Sequence, residues 1–174
     1  MFVISFFEKY ATFFPIIGGV LTILALFAPT SFSTDSIATY YVWMFQTYLH
    51  TDPPPIRIGL LRWDPTLLTF SVIFSVIIFL SALIIIWISI KYRKNSINFK
   101  KFKNILLILA ILISILTLAW IIMMEVYYMI YGANHWVGIG SGHYIPHFGI
   151  IGPFIGSIFV VLGILLERKY KKIK

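Results

Sequence analysis

Cysteine is absent from the 174-residue chain. Disulfides, thiolate metal sites and cysteine nucleophiles are therefore excluded, and any loop outside a membrane must be held by packing. Charge is scarce: charged residues make up 11%, against about 25% in a soluble domain. Acids are scarcest, at 6 against 14 Lys and Arg. No N-glycosylation acceptor occurs, because Asn95, Asn98, Asn104 and Asn134 all lack a Ser or Thr two residues on. The metalloprotease H-E-x-x-H, the nucleophile elbow G-x-S-x-G and the P-loop G-x-x-x-x-G-K are also missing. Gly138, Gly140 and Gly142 form a glycine-rich stretch. It follows an apolar run rather than a strand, so it is expected to be a loop and not a phosphate cradle.

Apolar residues are abundant, at 60% of the chain. That excess needs lipid to cover it. A membrane helix takes about 20 mostly apolar residues, and four segments qualify: 10–28, 66–90, 105–130 and 146–166. The first lacks the basic start of a secretory leader, with Glu8 and Lys9 side by side, and is expected to be a retained span. The fold expected is an all-α integral membrane protein, a four-helix transmembrane bundle in a single domain over residues 1–174. Outer loops cover 29–65 and 131–145.

The basic residues fall in two blocks. Lys91, Arg93, Lys94, Lys100, Lys101 and Lys103 occupy a loop at 91–104; Arg168, Lys169, Lys171, Lys172 and Lys174 occupy a tail at 167–174. The other side has Arg57 and Arg62 beside Asp35, Asp52 and Asp64. The positive-inside rule then puts the loop, the tail and the N-terminus in the cytoplasm, in a cell membrane. A nucleic-acid binder would spread its cations over a folded surface. Clustered beside apolar runs, these cations point to orientation and to lipid headgroups, with no nucleic acid partner.

The fourth span carries Gly149, Gly152, Gly156 and Gly163 on one helix face. Missing side chains let a second helix approach closely, either within the bundle or from another protein. In the first outer loop, residues 36–50 are aromatic and free of formal charge. They are expected to form a helix lying in the membrane interface, with a strand as the alternative. Pro53, Pro54 and Pro55 end that element. Asp64 and Pro65 should start span two, and Pro146 should start span four.

The first outer loop also contains Trp43 and then Gly59, Leu60, Leu61, Arg62 and Trp63. This resembles the Trp and Gly-Leu-Trp pattern of the claudins and their peripheral-myelin-protein relatives. Those are tetraspan proteins with a larger first outer loop and a shorter second one. Leu61 stands where that motif has its second Trp, and the family's two loop cysteines are absent. The resemblance implies lateral assembly or adhesion, with Trp43, Gly59, Leu60 and Trp63 in the interacting loop.

One polar group could carry chemistry. Glu125 lies inside span three, where a carboxylate usually has a partner or a job. His135, His143 and His147 follow in the second outer loop. Imidazoles with one carboxylate suit Zn, Cu or Fe, and His143 and His147 would share a helix face if the helix reached both. No cofactor is required by the sequence. Three readings are open: a non-enzymatic scaffold, homo-oligomer or accessory subunit of a membrane complex; a metal- or cofactor-binding enzyme or redox subunit; and an oligomeric channel.

Overall fold

Uninterrupted apolar runs become helices here, and the Pro-, Asn- and Ser-containing gaps between them become turns and strands. The computed structural model describes residues 10–34, 39–42, 44, 47–51, 57–60, 65–130 and 145–173, with the backbone alone in the strands and at 127–130 and 170–173. Helix α1 is Phe13–Phe27, α2 Pro65–Arg93, α3 Phe99–Ile130 and α4 Phe148–Ile173. Helices α2, α3 and α4 are long and apolar enough to cross a membrane. Helix α1 is apolar but has 15 residues, or about 22 Å at 1.5 Å per residue.

The helix bounds depart from the sequence expectation at the charged ends. The loop at 91–104 is in fact a short turn, because α2 runs on to Arg93 and α3 begins at Phe99. Local hydrogen bonds explain the gain. Asn95 takes a left-handed φ of 56°. Its N–H donates to Tyr92 O at 2.9 Å and that of Ser96 to Lys91 O at 3.0 Å, the double bond pattern that closes a helix C-terminus. Asn98 then caps α3, its Oδ1 accepting from Lys101 N at 2.9 Å. Helix α4 likewise extends past 166 to Ile173. Its start is later than expected: Pro146 belongs to a strand, and α4 begins at Phe148. Pro65 does open α2.

The aromatic stretch between α1 and α2 forms strands, the alternative to the interfacial helix. Strands β1 (Ser31–Thr34), β2 (Thr39–Val42), β3 (Thr47–Thr51) and β4 (Arg57–Leu60) come from that segment, and β5 (Ile145–Pro146) from the one between α3 and α4. They form one antiparallel sheet in the order β4-β3-β2-β1-β5. Tyr41 pairs with Phe32 on one side and with Leu49 on the other. Aromatic and β-branched residues favour such pairing, and short runs of this composition do not distinguish helix from strand by periodicity.

The chain divides into two compact units. The first contains Met1–Ile23, Ile78–Ser114 and Pro153–Lys174; the second contains Leu24–Ile77 and Ile115–Gly152, and so holds the sheet. In the first unit all four helices pack together, and small or aromatic residues set the contacts. Gly19 of α1 lies against Ile86 and Ala82 of α2. The Tyr92 ring of α2 stacks on Phe102 of α3, with centroids 4.1 Å apart. Ser157 of α4 donates to Ala110 O of α3 at 3.1 Å. In the second unit Trp120 of α3 donates through Nε1 to Ser71 Oγ of α2 at 2.9 Å, and the sheet joins the helices through α1 and α4. There His147 N donates to Thr30 O and Gly149 N to Pro29 O, both at 2.8 Å.

Burial recurs in a 4-3 rhythm along the helices. In α2 the buried positions include Ser71, Ser75, Ile78, Ala82, Ile85, Ser89 and Tyr92. In α1 they include Pro15, Gly18, Thr22 and Ala25, with Ala11 in the turn before it. This 3.5-residue repeat is the spacing of a helix-packing seam. The seams are rich in Ser, Thr, Gly and Ala, while Leu24, Phe27, Leu80, Ile108, Ile115 and Ile158 each expose more than half of their surface. The outward faces are thus more apolar than the seams. Water cannot stabilise such an arrangement, whereas hydrocarbon can. The chain is an integral membrane protein, built as a four-helix bundle that contacts the lipid bilayer.

Candidate functional site

The best-defined constellation is the close approach of α4 to α1. A Cβ on Gly156 would lie 2.6 Å from Gly18 O and would also collide with Thr22 Oγ1. A Cβ on Gly18 would in turn collide with Gly156 O, so the two backbones touch through both glycines. At Gly163 the new atom would meet Ala11 O at 2.9 Å and the Pro15 ring. In the sheet-containing unit, Gly152 faces the Ala25 methyl, and Gly149 faces the carbonyls of Ala28 and Pro29 at 2.6 Å. All four glycines of the stripe therefore face the chain's own first helical segment, Gly152, Gly156 and Gly163 against α1 and Gly149 against Ala28 and Pro29 just after it. The expectation left two occupants open; the structure places the internal one there. Gly18 was missed because it stands next to Gly19, and its periodicity with Thr22 and Ala25 is weak in hydropathy.

Buried hydrogen bonds add to these seams. Thr22 Oγ1 donates to Gly18 O at 2.9 Å and Ser75 Oγ to Ser71 O at 2.8 Å. Each hydroxyl satisfies itself on its own helix, which frees the small side chain to sit in a tight interface. Trp120 is fully buried. Trp87 is 53% exposed, with the Lys91 ammonium 3.9 Å above its ring, an arrangement suited to an interface anchor.

A short, buried polar contact lies among the basic residues. Tyr92 Oη donates to Glu167 Oε1 at 2.6 Å, and both residues are buried. Phe99 and Phe102 flank Tyr92. The sequence showed Glu167 as the one acid in the tail, but its partner is 75 positions away, beyond the reach of any local pattern. Of the two basic blocks, Lys91 and Arg93 ride the end of α2, Lys100, Lys101 and Lys103 the start of α3, and Arg168, Lys169, Lys171 and Lys172 the end of α4.

For the metal candidates the structure places two of four residues. Glu125 is half-buried on α3, and His147 is half-buried just before α4. His135 and His143 lie outside the described residues. His147 itself precedes α4, which starts at Phe148. Among the described residues no group of three His, Asp or Glu gathers. Of the loop candidates, Gly59 and Leu60 belong to β4, paired with Tyr48 and Thr47. Trp43 and Trp63 lie outside the described residues, as do residues 131–144 with the glycine-rich stretch.

No protein-family model matches the chain, and no curated protein matches its sequence.

Proposed function

We propose that the chain is a non-enzymatic tetraspan membrane protein that acts through lateral assembly, as a scaffold or as an accessory subunit of a membrane complex. The observation that carries this reading is the five-stranded sheet. Its strands come from two segments separated by two long helices, and backbone bonds join Pro29 and Thr30, just before β1, to His147 and Gly149 at the start of α4. A tethered sheet of this kind is a platform rather than a loose loop. Such a sheet ends in strands that offer backbone groups for pairing, here β4 on one side and the two-residue β5 on the other. A larger first outer segment with four strands and a shorter second with one also accords with the claudin-like resemblance, which implies assembly or adhesion.

In this reading the helices cross the membrane four times. The Asn95–Asn98 turn and the basic tail are cytoplasmic, and the sheet is on the opposite side of a cell membrane. Partners are further copies of the chain or other membrane subunits.

Native mass spectrometry of the full chain, extracted from its own membrane in mild detergent, tests the reading. A defined multimer or a fixed partner is the expected result. A monomer throughout would overturn it, and a monomer with a reproducible metal or cofactor mass would transfer the assignment to Glu125 and the histidines.

A further inference from the structure

The basic end of the first unit holds a charge imbalance that packing does not relieve. Its one described acid, Glu167, is buried and hydrogen-bonded to Tyr92 at 2.6 Å. Glu167 is thereby withdrawn from the surface on which the Lys and Arg side chains lie. The cations also have a definite placement. Lys91 follows exposed Trp87 by four residues, Lys94 follows exposed Ile90, Lys169 follows exposed Leu165, and Lys103 precedes exposed Leu107. Lys94 keeps this helical relation because its N–H still donates to Ile90 O at 3.1 Å.

Residues four apart share a helix face. Each of these lysines therefore continues an apolar stripe that faces lipid, about 6 Å further along the axis. That distance matches the headgroup layer, roughly 5–8 Å on each side of the hydrocarbon core. Cations meant for a soluble anion would not need to follow the lipid-facing stripes. We infer that Lys91, Lys94, Lys103 and Lys169 form a collar that binds the headgroups of anionic phospholipids, holding a preferred lipid shell around this end of the bundle. Lys91 also touches its stripe directly: its ammonium lies 3.9 Å over the exposed Trp87 ring, a cation–π contact that holds the charge on the same helix face as the apolar stripe. The inference is independent of the assembly reading and holds equally for a monomer.

The contrast residue is Arg93. It lies one turn beyond fully buried Ser89, and its guanidinium sits 4.0 Å over the Phe13 ring. It carries the same charge but does not continue an exposed stripe.

The experiment is native mass spectrometry of the full chain with phosphatidylglycerol and phosphatidylcholine of identical acyl chains at equal concentration. Retained phosphatidylglycerol is expected to exceed phosphatidylcholine, by about fivefold for each lysine engaged at low salt, and the excess should fall as salt rises. The fourfold variant Lys91→Gln, Lys94→Gln, Lys103→Gln and Lys169→Gln should lose the preference while keeping its helical circular dichroism. Arg93→Gln should change the ratio less than Lys94→Gln. Equal retention of both lipids by the native chain would overturn the inference. So would an undiminished preference in the fourfold variant. Equal losses from Arg93→Gln and Lys94→Gln would reduce the effect to net charge and remove the collar.

Discussion

Glycine at position 156 is required by contact rather than by backbone conformation. Its missing Cβ is the space that Gly18 O and Thr22 Oγ1 fill. Both neighbours belong to helix α1, and one is backbone, so the site can relieve added volume only by moving helices apart. Gly156→Ala is therefore expected to destabilise the bundle by about 1–3 kcal/mol, read as a lower midpoint in detergent unfolding. A substitution to Ala at exposed Ile158, two residues on, should change the midpoint far less. Tyr92 is required for a different reason. Removing its hydroxyl leaves Glu167 buried without its 2.6 Å donor, and an unsatisfied buried acceptor costs about 1–3 kcal/mol. Tyr92→Phe keeps the stack on Phe102, so a loss of that size reports the hydrogen bond. An unchanged midpoint would mean that Glu167 finds water or another donor.

At the scale of elements, the turn between α2 and α3 shows how much local sequence can specify. Asn95 and Asn98 are three residues apart and do different work, one closing α2 and the other opening α3. Asn98→Ala should remove the cap on Lys101 N and cost about 1 kcal/mol. Asn95→Val should cost about 1–2 kcal/mol, since a φ of 56° penalises a branched side chain. Asn95→Gly should be tolerated, because glycine adopts that φ freely. A denaturant series that ranked glycine below valine would contradict the closing motif.

The same signals were present in the sequence, yet charge clustering made this stretch resemble a loop. Lys and Arg are good helix formers, and hydropathy alone ends a span where charge begins, not where the helix ends. The apolar spans themselves were legible from length and composition. Their inward faces were not. Ser71, Ser75 and Ser89 line the buried seam of α2 while Leu80 and Ile73 face outward, so the usual rule that apolar residues point inward runs the other way. Strands β1 to β4 were hidden for another reason: a short aromatic stretch suits an interfacial helix as well as a strand, and the pairing that decides between them is non-local. Of the candidate site, the glycine stripe was visible as a stripe. Its occupant, α1, and the Tyr92–Glu167 bond were not, because both are contacts between distant segments.

For the molecule as a whole, the central physical fact is a surface greasier than its seams, and that fact makes orientation testable. Helix α2 has 29 residues, about 43 Å at 1.5 Å per residue, which exceeds the roughly 30 Å hydrocarbon core. Its two ends should therefore emerge on opposite sides. Its C-terminal end carries Lys91 and Arg93 and leads into the turn containing exposed Ser96; its N-terminal end carries exposed Thr66. The absence of cysteine means that one introduced thiol is the only thiol. With the positive end inside, Thr66→Cys in intact cells should react with a membrane-impermeant maleimide, and Ser96→Cys should react only after permeabilisation. The reverse pattern would invert the protein and place the sheet in the cytoplasm. Labelling of both from outside would show that α2 does not cross, and would force its exposed apolar face to be covered by protein instead of lipid.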